Sequence, residues 1–339
     1  MISLKNSRIL FLSVSFFQYE KSITQKLIDL GAEVDFYDER PYNSNFSKGI
    51  IRFNKKLYQL QIHLYYQRIL KEIQHKKYNY FLLIKGEAVP EFFLKKIKEH
   101  NPEVQTIYYN FDSLEEYPKL VPLLKYFDKK FTFDRKDAHD YGLHFRPLFY
   151  LDEYKNAKTD QDSQNLDICF IGSAHTDRYL IGEKIKKIAD ESKLRTYFYY
   201  YAMGRFVFLL KKIFDKKLKY FNPKKISFKK LSHHQIIDFY KRSKAILDIN
   251  KPFQNGLTIR TFEALAMGKK LITTNLDVIN YPFYTPQNIY AVDRNNIDLE
   301  LGFFQSEFKE LDEKTLYMMS LDSWVECLFI KDQDQYWKK

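Results

Sequence analysis

The feature that most constrains this chain is an alternation of short apolar β runs with helical patterns, and it occurs twice. Residues 8–17 form an apolar β run. Ile23, Leu27 and Leu30 then recur at helical spacing, and Gly31 stands where a C-terminal stop is expected. Residues 33–37 read as a second strand, 49–75 as a long helix, and 80–85 as a buried strand ended by Gly86. Pro90 suits the first turn of the next helix. Residues 105–109 read as a strand, 117–124 as a helix, 130–133 as a strand, and 138–141 as a short helix closed by Gly142. Strands separated by helices imply a parallel sheet with crossover helices.

At residues 152–166 the pattern breaks into Asp, Lys, Asn, Gln and Ser, the composition of an exposed linker. A second alternation follows. Residues 167–171 form a strand ending in Gly172-Ser173, 179–189 a helix, and 196–201 a strong β run. Ser232 opens a helix with Gln235 three residues on, the spacing of a capping box. Residues 244–249 and 270–274 read as strands around a helix at 261–266 that stops at Gly268. A weaker strand falls at 289–292 and a helical region at 313–330. The expected class is α/β, with two Rossmann-like domains facing a cleft. These are an N-terminal domain over 1–152, a C-terminal domain over 153–320, and a terminal helix over 321–339 packing back toward the first.

Composition agrees. The chain has 339 residues, 45% of them hydrophobic, enough for two cores and too apolar for wholesale disorder. Two cysteines exclude a disulfide scaffold, and Cys169 and Cys327 read as small buried hydrophobes. No apolar run approaches the roughly 18–20 residues of a membrane span. Residues 9–17 are too short and polar-dotted for a signal peptide, so a cytoplasmic chain is expected.

The net charge is +12, a balance that suits an anionic partner: nucleic acid, an anionic membrane or a phosphorylated substrate. Lys, Asn, Ile, Phe and Tyr are all abundant, the usage of AT-rich genomes, which accounts for lysine number equally well. The clustering is more informative. Residues 48–77 hold eight Lys/Arg against Glu72 alone, and residues 205–230 hold ten against Asp215 alone, leaving the remainder slightly acidic. Residues 49–75 and 205–219 interleave these charges with apolar residues, among them Leu57, Leu60 and Leu64, and Phe206, Leu209 and Ile213. Both fit amphipathic helices with a basic face, either solvated or docked on an anionic inner leaflet.

The segment 245–274 reads as strand, loop, helix start, glycine stop and strand. Its loop falls at the carboxyl end of a strand and the amino end of a helix, where free N–H groups and the helix dipole favour an anion. Gly256 permits close backbone approach, Arg260 can grip a diphosphate in two places, and Glu263 can accept from a ribose diol. An ordinary amphipathic helix end with a surface glutamate is the alternative.

The run Asn255-Gly256-Leu257-Thr258-Ile259-Arg260-Thr261-Phe262-Glu263-Ala264-Leu265-Ala266-Met267-Gly268 resembles the donor-binding signature of GT-B glycosyltransferases. It is most similar to the CgeB-like and glycosyl transferase group 1-like families of bacterial surface-polysaccharide synthesis. Residues 168–173 with Arg178, and residues 226–250, are similar to the flanking parts of the family's C-terminal domain. Residues 109–112, 127–133 and 145–148 resemble parts of its N-terminal domain. The resemblance implies a nucleotide-sugar donor, with Glu263 at the ribose and Gly256, Thr258 and Arg260 at the diphosphate. The loop at 228–231 would frame the nucleobase. It implies transfer to a lipid-linked or oligosaccharide acceptor in capsule, lipopolysaccharide or spore-coat assembly. Neither a metal nor another cofactor is expected, nor a nucleic-acid partner. Many retaining GT-B enzymes carry two glutamates eight positions apart here; the second matches Glu263, but Asn255 stands at the first, which leaves stereochemistry and donor sugar open.

An acceptor site is expected on the strand-end loops of the N-terminal domain. Asp112 and Glu87 are candidate general bases there, with helix capping and simple solvation as the alternatives. Gly172, Ser173, His175 and Arg178 are candidates for the donor phosphates. His233 and His234 are adjacent and fit the first turn of a helix better than a metal site. Asp332 and Asp334 form a D-x-D string near the C-terminus that reads as a solvated tail. No Walker loop, G-x-G-x-x-G or G-x-S-x-G is present. Rival readings are a nucleotide-sugar epimerase or phosphorylase on the same fold, and a basic nucleic-acid-binding protein whose aromatics stack on bases.

Overall fold

The computed structural model describes residues 3–15, 17–41, 55–157, 164–174, 176–202, 204–205, 208–209 and 220–338. They form two compact units, Met1–Arg146 with Trp324–Asp334, and Pro147–Ser323 with Gln335–Lys339.

The first unit is built on six parallel strands: β1 (Arg8–Ser13), β2 (Glu33–Asp38), β3 (Tyr80–Ile84), β4 (Gln105–Asn110), β5 (Lys129–Thr132) and β6 (His144–Phe145). They lie in the order β2-β1-β3-β4-β5-β6. Ile9, Leu10, Phe11 and Leu12 are all 0% exposed, which is why β1 reads as an unbroken apolar run: both faces of the sheet are covered. Leu10, Leu12, Phe81, Leu83 and Tyr108 pack with Phe93, Leu94 and Ile97 of the helix Glu91–His100. Tyr66, Ile69 and Ile73 of the helix Lys55–Ile73 complete that core. Sequence order reverses between β1 and β3, and the switch point of this sheet lies there.

The second unit also has six parallel strands: β7 (Leu166–Ser173), β8 (Thr196–Tyr201), β9 (Ile226–Ser227), β10 (Ser243–Asp248), β11 (Lys270–Thr273) and β12 (Ile289–Ala291). Their order, β12-β11-β10-β7-β8-β9, is that of a Rossmann sheet read from its far edge. Its switch point falls between β7 and β10, which pair through Ala245 with Ile168 and Ile246 with Cys169.

Most elements match the pattern reading. Ser232 and Gln235 form the capping box, with Ser232 Oγ accepting from the Gln235 N–H at 3.3 Å and Gln235 Oε1 accepting from the Ser232 N–H at 3.0 Å. Gly142 takes φ +62°, the left-handed cap its position demanded. Both cysteines are free and buried.

Four readings are corrected. The two-residue strands β6 and β9 escaped notice because so short a strand carries no period. Residues 117–124 form a 3₁₀ helix, Pro118–Tyr126, with Pro122 inside it. The region 313–330 is two helices, Glu313–Met318 and Leu321–Phe329. The linker does not begin at 152: Asp152–Lys155 is helical, and Tyr154 is 1% exposed with its hydroxyl 3.0 Å from His233 Nδ1.

Candidate functional site

In the second unit, β10 is buried because it lies centrally in the sheet, yet it ends in a carboxylate. Asp248 is 0% exposed. A charge so placed must be compensated. Asp248 Oδ2 accepts from Thr258 Oγ1 at 2.9 Å, and Oδ1 accepts from Arg260 Nη1 at 2.5 Å. Arg260 also donates through Nη2 to the Ile171 carbonyl of β7 at 2.6 Å, and through Nε to the Tyr240 hydroxyl at 3.2 Å. One guanidinium thus ties β7, β10 and the helix His233–Lys241 together at the switch point.

Two further arginines stand on the same loops. Arg178 is buried and donates through Nε to the Ile249 carbonyl at 2.6 Å. Burial, then the charges of Arg260 and Arg294, push its pKa down to about 10, against Asp248 and Asp177. Arg294 follows β12. Its Nη1 donates to Asp177 Oδ2 at 2.8 Å, and its Nη2 to Asn250 Oδ1 at 2.6 Å and to the Asn250 carbonyl. Asn250 Oδ1 accepts from Thr274 Oγ1 at 2.8 Å, and Asn275 Nδ2 donates to the Asn255 carbonyl at 2.8 Å.

These bonds affect the helix ends. Thr258 and Asp177 are the N-cap residues of the helices Ile259–Ala266 and Arg178–Glu191, and neither side chain caps its own helix. The Thr258 hydroxyl is turned to Asp248, while Asp177 Oδ2 receives Arg294. Two helix N-termini without side-chain caps and three arginines therefore meet at the carboxyl ends of β7 and β10, where open α/β sheets bind anionic ligands.

The residues singled out from sequence take distinct positions. Gly256 is buried and Asn255 exposed on the loop, and Glu263 is buried in the helix Ile259–Ala266. Gly172 has a packing reason for lacking a side chain: a Cβ there would sit 2.6 Å from the Phe170 ring. Ser173 ends β7. His175 lies outside the described residues. Asp248, Asn250 and Arg294 were missed. A carboxylate closing the buried run 245–248 was the available signal for the first; Arg294 stands in an unpatterned polar stretch.

In the first unit, Asp112 and Glu87 converge on one cation. Lys85 Nζ lies 2.8 Å from Asp112 Oδ2 and 3.3 Å from Glu87 Oε2. Arg40 Nη2 reaches Glu87 Oε2 at 2.8 Å. Against burial, Lys85 and Arg40 hold Glu87 below the usual carboxylate range. Behind them stands Glu39, missed because an acid inside the charged run 38–40 carries no local sign of burial. Its side chain is 0% exposed, and its Oε2 accepts from the Gly86 N–H at 2.7 Å. Its Oε1 has no hydrogen-bond partner, with Arg40 Nε 3.8 Å away. Burial pushes Glu39 up to about 7, against Arg40, the Gly86 N–H and Lys85. Lys85 and Gly86 have φ of +75° and +84°, so the turn that Glu39 holds is left-handed at two successive residues.

Asp334 is not a solvated side chain. Its Oδ1 accepts from the Phe145 N–H at 2.9 Å, and its Oδ2 lies 3.3 Å from His144 Nδ1. With Asp332 these residues place three metal-capable atoms within 4.8 Å of one another. Nothing in the sequence joined positions 144 and 332–334; only the formation of β6 does.

No family model matches the sequence, and no curated protein matches it. Solved structures do. The apo structure of OtsA matches with a TM-score of 0.59 at 12% identity, covering 96% of this chain and 99% of that one. An α-glucosyltransferase solved with UDP and a mismatched 13-mer DNA matches at 0.54 and 13%, covering 98% and 94%. The catalytic domain of starch synthase IV from Arabidopsis thaliana, bound to ADP and acarbose, matches at 0.53 and 10%, covering 93% and 94%. With the two six-stranded parallel sheets, these likenesses show an α/β fold of GT-B architecture.

Proposed function

We propose that this chain is a glycosyltransferase moving a sugar from a nucleotide-sugar donor to an acceptor hydroxyl. One observation carries the reading: Arg178, Arg260 and Arg294 meet two helix N-termini without side-chain caps at the switch point of a Rossmann-order sheet. Such a site suits a diphosphate, and two of the similar structures were solved with a nucleoside diphosphate. In this reading Arg178, Arg294 and the helix N–H groups receive the diphosphate. Arg260 has five N–H donors and spends three on Ile171, Tyr240 and Asp248, so two remain for the ligand. Gly256 and Thr258 shape the loop, with Asn255 at the sugar and Glu263 at the ribose. Ser173, beyond Gly172 at the end of β7, and His175 complete the phosphate side. As the glycosidic bond to the diphosphate breaks, this fixed positive field stabilises the leaving group without reorganising. No metal or other cofactor is required in such a scheme.

The acceptor is assigned to the first unit, with Asp112 or Glu87 taking the proton of the attacking hydroxyl and Lys85 paired with both carboxylates. We further propose a lipid-linked or oligosaccharide acceptor in bacterial surface-glycan assembly, with the enzyme at the inner face of the cytoplasmic membrane. The helix Lys55–Ile73 supports that placement. Leu60 and Leu64, one turn apart, are 54% and 55% exposed, while Tyr66, Ile69 and Ile73 face the core. Among the described residues no helix is long and apolar enough to cross a membrane. Most of the second basic segment, 205–219, lies outside the described residues.

The test is release of nucleoside diphosphate from each nucleotide sugar, with and without a mixture of oligosaccharide and lipid-linked acceptors. Acceptor-dependent release supports transfer. Interconversion of the nucleotide sugar without an acceptor points to an epimerase instead.

A further inference from the structure

The strands β10 and β11 carry the switch-point site at their carboxyl ends. At their amino ends, roughly 13 Å away along β10, lies a cavity of about 310 Å³. It is lined by Lys244, Lys269 and Lys270 together with Ser306, Glu307 and Glu310. Lys269 is 1% exposed and Lys270 4%. Among the described residues neither forms an ion pair. Burial pushes Lys269 down to about 8 and lowers Lys270 as well.

Two buried ammonium groups that form no ion pair, although Glu307 and Glu310 line the same cavity, are unfavourable unless something compensates them. Part of the compensation comes from helix C-termini, whose carbonyls carry partial negative charge. Lys269 Nζ donates to the Lys241 carbonyl at 2.8 Å, at the end of the helix His233–Lys241. Lys270 Nζ donates to the Phe303 carbonyl and to Ser306 Oγ, each at 2.5 Å. An ammonium has three donors, so Lys269 keeps two and Lys270 one. Lys244 sits half-exposed and pairs with Asp167 at 3.1 Å, but Asp167 also receives Arg195.

We infer that this cavity binds a small multivalent anion, phosphate- or carboxylate-bearing, held by the spare donors of Lys269 and Lys270 with Lys244 at the rim. Compact ammonium charges suit any small oxyanion, where an arginine fork would select a planar one. Such a site stands apart from the donor chemistry proposed above and does not depend on it.

The experiment titrates the full chain with inorganic phosphate and, separately, citrate, at ionic strength matched with chloride, by thermal shift and calorimetry. The expected result is a rise of a few degrees in the transition temperature at saturation with at least one of the two; which one responds identifies the headgroup chemistry. Lys269→Met should weaken binding at least tenfold, and Lys244→Gln, at a half-exposed position, by about threefold. The part of the response that Lys269→Met removes should persist in Arg294→Ala, since Arg294 stands at the opposite end of the sheet. No response to either anion overturns the inference. So does a response that survives both lysine changes, or one lost in Arg294→Ala and kept in Lys269→Met, which places the anion at the switch point.

Discussion

The Thr258 hydroxyl donates to Asp248 Oδ2 at 2.9 Å and accepts from no N–H of the helix it precedes. Arg260 takes the other oxygen of the same carboxylate at 2.5 Å. A single buried aspartate therefore fixes the arginine, holds the loop, and leaves the first turn of the helix Ile259–Ala266 without a side-chain cap. Asp177 and Arg294 repeat the device on the helix Arg178–Glu191. The sequence motif marks where this happens; the paired acids decide how.

Asp248 should matter first for stability. Asp248→Ala leaves Arg260 in a largely buried place without its counter-charge, and should cost about 3–5 kcal/mol. Arg260→Met alone should also destabilise. The double variant should lose clearly less than the sum, because the orphaned charge is gone. Urea unfolding of the four proteins measures this, and additive losses would contradict the pairing.

Arg294 separates binding from folding better. Its side chain is 19% exposed and its partner Asp177 22%, whereas Asp248, the partner of Arg260, is fully buried. Arg294→Ala should weaken nucleoside-diphosphate affinity about tenfold or more, with only a modest change in unfolding midpoint. Calorimetry on the folded variant checks the first, and unchanged affinity would remove Arg294 from the site.

Glu39 sets a pH dependence whose sign is fixed by its burial. Its pKa rises from 4.5 to about 7 on folding. An acid raised in this way supports the folded state while protonated. Its contribution is present below pH 4.5 and is lost as pH rises through about 7. Glu39→Gln should therefore be more stable than the parent at pH 8, by up to about 3 kcal/mol, and the difference should shrink to under about 1 kcal/mol at pH 5. Asp137, also raised by burial, to about 6, is common to both proteins and cancels. Denaturation at the two pH values decides, and a constant difference would show that Glu39 stays ionised.

The exposed leucines make a separate prediction. Leu60→Ser with Leu64→Ser should leave the unfolding midpoint almost unchanged, since neither side chain is buried. Binding to vesicles containing anionic lipid should fall several-fold, while vesicles of neutral lipid should bind neither protein. Equal binding of parent and variant to anionic vesicles would leave the helix Lys55–Ile73 as a solvated element only.

The parts legible in the sequence are those governed by local rules. The run 167–171 reads as a strand because a strand covered on both faces must be apolar throughout, and Ser232 with Gln235 reads as a cap because the bonds span three residues. The loop 255–258 and the helix after it are legible from the local pattern that stops at Gly268. Arg294 was not, because its role depends on Asp177 and Asn250, residues 117 and 44 positions away that only the sheet order assembles. Glu39 was hidden for the opposite reason. An acid between Asp38 and Arg40 reads as solvated until the fold buries it under Gly86. Asp334 was misread in the same way, since the strand that receives it is two residues long.

The most direct test of the central claim is calorimetric titration of the full chain with UDP-, GDP-, CMP- and dTDP-sugars, alongside Arg294→Ala. The account predicts selective binding of one nucleotide class by the parent chain, weakened about tenfold or more in the variant. Binding of none of the four, or equal affinity in parent and variant, would contradict the assignment of the switch-point arginines to a nucleotide-sugar donor.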